Sequence, residues 1–142
     1  MSIEENKTLA RRFCIELNTV LDGRDPKTLT ERDLAVFDEI MTPDQAQDTK
    51  QNLIPGAYGT WGDHHIEITD MVVEGDKVWA RVATSGGHTG EWKGVAPTGK
   101  RWTNTGVLFI RTANGKIAEW DGLFDELNGL MQLGAVITPP ER

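Results

Sequence analysis

Glu119, Asp121 and Asp125 stand close together near the end of the chain, and His88 lies between Gly87 and Gly90. Carboxylates and an imidazole are the side chains that exchange protons. Beside an apolar cavity, burial lifts a carboxyl pKa toward about 6 and makes it a usable acid or base. Each of the four also has an ordinary structural role. Asp is among the preferred helix N-caps, and capping is the role favoured for Asp125. Glu119 fits a solvent-facing strand position. His88 can hydrogen-bond the backbone of its own loop. Asp121 is the least comfortable as pure structure, because it lies mid-strand between Trp120 and Gly122.

Other chemistries find less support. His64 and His65 are adjacent, so on a strand they point to opposite faces and cannot share an ion. His65 and Glu67 do share a face, but two ligands without a third suit a solvated strand better than a metal, and no metal ligand is assigned. No zinc signature, Walker loop or dinucleotide fingerprint occurs, and no helix follows Gly86-Gly87-His88-Thr89-Gly90 to hold a phosphate. There is no Gly-x-Ser-x-Gly elbow. The single cysteine, Cys14, excludes an internal disulfide and sits on an apolar helical face without an activating base.

The acids depend on the elements that carry them. Trp102 to Arg111 is β-branched and aromatic with an apolar centre, Val107 to Ile110, and reads as a strand buried on both faces. Asn114-Gly115 is a strong hairpin signal. Lys116 to Phe124 is the return strand, and Glu126 to Leu133 a helix that stops at Gly134. Regular alternation puts Glu119 and Asp121 on one face with Ile117 and Leu123, and Trp120, Gly122 and Phe124 on the other.

Upstream, Ser2 and Glu5 have capping-box spacing. Leu9, Phe13, Leu17 and Val20/Leu21 then recur at helical spacing as far as Asp22-Gly23. Thr30 and Asp33 start a second helix with Leu34, Phe37, Ile40 and Met41 on one face, which Pro43 ends. Residues 44–52 read as a short surface helix or a loop. Pro55 to Gly62 reads as an irregular passage whose Tyr58 and Trp61 could roof a pocket or cover a core edge. From His64 the period changes to two, as far as about Val73. Glu74-Gly75-Asp76 turns the chain, and Lys77 to Thr84 returns. Ser85-Gly86-Gly87 is a flexible joint, His88 to Trp92 fits a short strand, and Pro97-Thr98-Gly99 turns into Trp102.

Helices followed by an antiparallel meander define an α+β fold. A curved antiparallel sheet packed on N-terminal helices makes a cone-shaped barrel with a cavity at its open end, a natural small-molecule site. Trp92, Trp102, Trp120 and Phe124 are candidate pocket walls, although their ordinary role is core packing. The chain, 1–142, is expected to be one domain. No apolar run approaches the ~20 residues of a membrane helix. Glu4 and Glu5 replace the positive charge of a signal peptide, so a cytoplasmic location is expected. A net charge of −7 with scattered Lys and Arg argues against nucleic acid and anionic membrane as partners.

The stretch His88 to Gly99, then Asn114-Gly115-Lys116-Ile117-Ala118-Glu119, Asp125 and Gln132-Leu133-Gly134, resembles the SnoaL-like polyketide cyclase (ester cyclase) family of the nuclear-transport-factor-2-like superfamily. The resemblance runs from about His64 to the end, with the opening helix fitting loosely. It implies a cone-shaped α+β barrel, a homodimer and a deep apolar pocket for a hydrophobic oxygenated small molecule. It also implies intramolecular aldol cyclisation by an aspartate general acid/base with no metal or cofactor. Relatives have diverged to hydroxylation and isomerisation. Aligned on Gly115-Lys116-Ile117 and Gln132-Leu133-Gly134, the family's catalytic aspartate falls on Gly122 and its assisting histidine on Leu108. Asp121 is one residue early.

Three readings follow. In the first, Asp121 removes an acidic α-proton, turned inward by a β-bulge at Gly122, or Asp125 or His88 takes over that task. In the second, the pocket binds without catalysis. In the third, a hydroxylase or isomerase uses the pocket without the cyclase pair. A buried, proton-active carboxylate favours an enzyme, and its absence favours a binder.

Overall fold

The computed structural model describes residues 2–141. Helix α1 (Ile3–Leu21) opens under a Ser2 cap, whose hydroxyl accepts the Glu5 N–H, and buries Leu9, Phe13, Leu17 and Leu21 on one face. A 3-10 turn (Pro26–Thr28) leads to two short helices, α2 (Glu31–Leu34) and α3 (Val36–Ile40). Thr30 and Asp33 form a reciprocal capping box at the start of α2. Helices α4 (Pro43–Asp48) and α5 (Ile54–Thr60) follow, joined by a π-helical turn, Thr49–Leu53. Pro43 therefore begins a helix rather than ending one, as suits a residue whose missing N–H is an orphan there anyway. The break comes one step earlier, where Met41 is extended and bridges to Ile117. The stretch expected to be irregular, Pro55 to Gly62, is mostly helix, because it completes a cover over the open sheet.

The sheet has four antiparallel strands in chain order, β1 (Trp61–Glu74), β2 (Lys77–His88), β3 (Arg101–Ala113) and β4 (Lys116–Phe124). A last helix, α6 (Glu126–Gln132), closes the end. The β1–β2 turn has Gly75 at φ 59°. Asn114 and Gly115 turn β3 into β4 with φ of 52° and 78°, both left-handed as a two-residue hairpin requires. The Ser85–Gly87 segment is not a joint. It stays in strand β2, paired with Thr103 to Arg101.

Register separates two faces. Val72, Trp79, Phe109 and Asp121 are successive cross-strand partners and form one row. Trp79 is 53 % exposed, so this row is the outer face, and Phe109 meets Trp79 edge-on there. Strand β3 is thus half-buried rather than buried on both faces. The next row, Met71, Ala80, Leu108 and Gly122, faces the helices. The expected alternation along β4 also breaks. Arg111 pairs with Glu119 but Thr112 pairs with Ile117, so a bulge falls at Ala118. Ile117 is consequently buried on the inner side with Trp120, while Glu119 is exposed and pairs with Arg111 at 3.0 Å.

The core joins α1 and α3 to the inner sheet through Phe13, Phe37, Ile40, Val78, Val82, Leu108 and Ile117. Cys14 is part of it, and burial pushes its thiol up to about 12. Two asparagines of α1 pin the helix to strands. Asn6 donates to the Gly75 carbonyl and accepts from the Thr112 hydroxyl. Asn18 both donates to the Ile66 carbonyl (2.8 Å) and accepts the Ile66 N–H (2.9 Å), beside the register shift between Gly62 and His65. No helix among the described residues is long and apolar enough to cross a membrane.

Candidate functional site: an aromatic cavity with a closed floor and a polar neck

Between the inner sheet face, α1 and α5 lies a cavity of about 190 Å³. Phe13 and Leu17 reach it from α1, Ala57 and Tyr58 from α5, Ile66, Thr84, Asn104 and Leu108 from the sheet. Trp92, Trp102, Trp120 and Phe124 line it as well. Its upper wall belongs to a second apolar cluster, in which Trp61 stacks on Trp102 at 4.3 Å and Trp92 meets both rings edge-on. Gly129 lets α6 approach this cluster, since a Cβ there would stand 2.7 Å from Trp102 Nε1 and 3.0 Å from Trp92 Cη2.

The floor is built by Leu108, Gly122 and Phe124. Leu108 and Gly122 are direct cross-strand partners. A Cβ on Gly122 would lie 2.8 Å from Phe124 Cε2 and 3.4 Å from Leu108 Cδ2. The Phe124 ring also lies against Gly106, its own cross-strand partner. One aromatic ring thus folds over two glycines. Gly122 marks a close approach of ring to backbone and not a bulge, for β3 and β4 stay in register there.

This geometry fixes where the proposed acids stand. Asp121 belongs to the outer row with Trp79 and Phe109, and its carboxylate accepts the Gly122 N–H at 2.8 Å. The bulge that would have turned it inward lies instead at Ala118, too early to reverse it. Asp125 is exposed and caps α6 by accepting the Asn128 N–H at 3.1 Å. His88 is fully buried but lies behind Trp61, outside the cavity wall. Its Nδ1 accepts the Thr98 N–H at 3.2 Å, which puts its proton on Nε2 and holds the 89–98 loop to the sheet. The three are not brought together. Of the expected walls, Leu108, Trp120, Phe124, Trp102 and Trp92 line the cavity, and Gly122 lies beneath Phe124. Among the described residues the one carboxylate lining the cavity, Glu126, is exposed at its rim and paired with Lys93 at 3.0 Å. Among the described residues no three His, Cys, Asp or Glu cluster as a metal set.

The neck is different. Tyr58, Trp61 and His64 line the inner cavity and also a wider outer cleft of about 740 Å³, which Arg24, Asp25, Lys27 and Thr89 border. Tyr58 meets the His64 ring edge-on at 4.5 Å. Burial, aided by neighbouring His65, lowers the His64 pKa to about 4, so the imidazole is neutral at pH 7. Burial also holds the Tyr58 phenol protonated well above its ordinary range. His64 Nδ1 is buried with no partner among the described residues. Sequence reasoning weighed His64 only as a metal ligand. Its alternation with Ile66 and Ile68 was the available signal, because it puts a lone imidazole on the apolar face of a strand.

Helices backing a curved four-stranded antiparallel sheet, with an aromatic cavity between them, define an α+β fold. Residues 24–133 match the model of the SnoaL-like polyketide cyclase family, and the chain belongs to that family. The match reaches back through the helical cover that the sequence motifs left aside. AclR from Streptomyces galilaeus, a proposed hydroxylase, is 25 % identical with TM-score 0.70, over 99 % of this chain and 87 % of that chain. TsrD from Streptomyces laurentii is 23 % identical with TM-score 0.74, over 96 % and 99 %. IdmH from Streptomyces antibioticus, a proposed polyketide cyclase, is 20 % identical with TM-score 0.70, over 92 % and 99 %. The last two likenesses establish the shared fold alone. No functionally curated protein matches the sequence.

Proposed function

We propose that this protein binds a small, largely apolar, oxygenated ring compound in the inner cavity, without the aspartate-driven aldol chemistry of the family's cyclases. The observation that carries this reading is the floor. The two positions where the resemblance puts the cyclase acid and its histidine are Gly122 and Leu108, and Phe124 and Leu108 occupy the space a side chain at 122 would need. A carboxylate that works as a general base must reach the proton it abstracts, at ~2.6–3.2 Å. Asp121 and Asp125 are turned to solvent, and Glu126 is held at the rim by Lys93. A cavity of this size is below the ~300 Å³ of most ligand sites, so it suits one ring or a small fused pair, with any remainder in the outer cleft.

The test uses 1-phenylbutane-1,3-dione, a small ring compound with an acidic α-proton between two carbonyls. Binding is read by quenching of tryptophan fluorescence, and proton transfer by deuterium uptake at the α-carbon. Binding with an unchanged exchange rate is the expected result. Exchange accelerated by ~10²-fold or more would return the protein to the enzymes. The same reading has the protein as a homodimer through its outer sheet face, supported by exposed Val72, Trp79 and Leu123. Sedimentation of wild type against Trp79→Glu would check it.

A further inference from the structure

We propose that His64 is the residue by which the cavity selects its ligand, hydrogen-bonding a hydroxyl group on the bound ring. The proposal rests on the reading that the cavity takes an oxygenated ring, and it names the group that would recognise the oxygen. The amide and the hydroxyl of the sheet wall, on Asn104 and Thr84, are already committed. The Asn104 amide donates to the Asp125 carbonyl at 2.9 Å, and its oxygen accepts the Thr105 N–H at 2.9 Å. The Thr84 hydroxyl is directed at the Asn104 carbonyl. Trp102 Nε1 and Trp120 Nε1 are buried and unbonded as well, but an indole N–H only donates and cannot accept a hydroxyl's proton. His64 remains, at the junction of cavity and cleft, with Nδ1 buried and unbonded.

A buried polar atom without a partner is costly, and a ligand that supplies the partner recovers that cost. A neutral imidazole has one donor and one acceptor nitrogen, so Nδ1 donates in one tautomer and accepts in the other. A hydroxyl both donates and accepts, so it satisfies Nδ1 in both cases. A carbonyl satisfies only one, and a plain hydrocarbon neither. The neck therefore favours a hydroxylated ring, a phenol or enol, whose apolar body enters among Phe13, Leu108 and Phe124. His64 would act here by recognition, since so weak a base as this buried ring takes up little proton at neutral pH.

The experiment compares p-cresol with toluene, which differ by one hydroxyl, on wild type and His64→Leu. Affinity is read by tryptophan fluorescence. Wild type should bind p-cresol about tenfold more tightly than toluene, and His64→Leu should erase that preference while binding toluene as before. If His64→Leu folds poorly, the imidazole ¹⁵N spectrum of wild type decides instead. The Nδ1 signal of His64 should move with p-cresol and stay with toluene. A preference that survives in His64→Leu, or an Nδ1 signal indifferent to p-cresol, overturns the role of His64 and leaves the cavity reading intact. Failure of wild type to bind either compound overturns both.

Discussion

The floor and the neck of the cavity lie on the same curved sheet but were built by opposite rules. At the floor, each inner-row position is filled from the protein itself: Leu108 meets Gly122, and Phe124 closes over both. Leu108, Gly122 and Phe124 offer a ligand no polar side chain. At the neck, Tyr58 and His64 stand between two open spaces, and a ring nitrogen is left unbonded. The difference teaches that, on the proposed reading, polar recognition belongs to the neck and not to the floor positions Leu108 and Gly122.

The sharpest way to break this comparison is to restore an acid to the floor. Gly122→Asp forces a side chain against Phe124 Cε2 and buries a charge, so it should destabilise the fold by about 3–5 kcal/mol. Urea unfolding measures it, and an unchanged midpoint would mean that the Phe124 ring is free to leave the floor.

The neck should reveal itself through pH. His64 has a folded pKa of about 4 against an ordinary 6.5. Between those values the unfolded chain binds more protons, so wild-type stability is full above about pH 6.5 and falls as pH drops toward 4. The charged or titratable groups around the ring are Tyr58 from α5, Asp63 and His65 on β1, and Arg24, Asp25 and Lys27 across the cleft. His64→Leu should flatten the fall by about 2 kcal/mol, read from urea midpoints at pH 7 and pH 4.5. Equal slopes in the two proteins would remove the buried imidazole from the account.

Smaller effects mark residues that belong to neither end. Asp125→Ala should cost about 1 kcal/mol, the worth of an N-cap, with ligand affinity unchanged. Asp121→Asn should change stability by less than about 0.5 kcal/mol, as befits an exposed side chain bonded only to its neighbour's N–H. A tenfold loss of ligand affinity in Asp121→Asn would place the chemistry on the outer face after all.

Local rules made much of this molecule legible. Ser2, Thr30 and Asn114-Gly115 announce their caps and turn by residue type alone, and period-two patterning fixes which side of β2 is buried. What the residues could not announce depends on neighbours distant in sequence. The Ala118 bulge is invisible in a smooth apolar–polar alternation, yet it resets the face of Ile117 against Glu119. Gly122 has the sequence look of a bulge, and only Phe124 and Gly106 explain it. The 43–60 segment carries two Pro and two Gly, which argues locally against helix. It is helical because its buried apolar residues, Ala46, Ile54 and Tyr58, must close the sheet.

Phe124 lying over both Gly106 and Gly122 also sets an order of substitutions. While the ring is in place, neither glycine can gain a side chain, so any single step that adds an acid at position 122 is blocked by its background. The ring would have to shrink first, in a chain that then carries an empty floor for no benefit. Each route to an acid at position 122 therefore crosses a less stable intermediate, because these neighbouring sites are not additive.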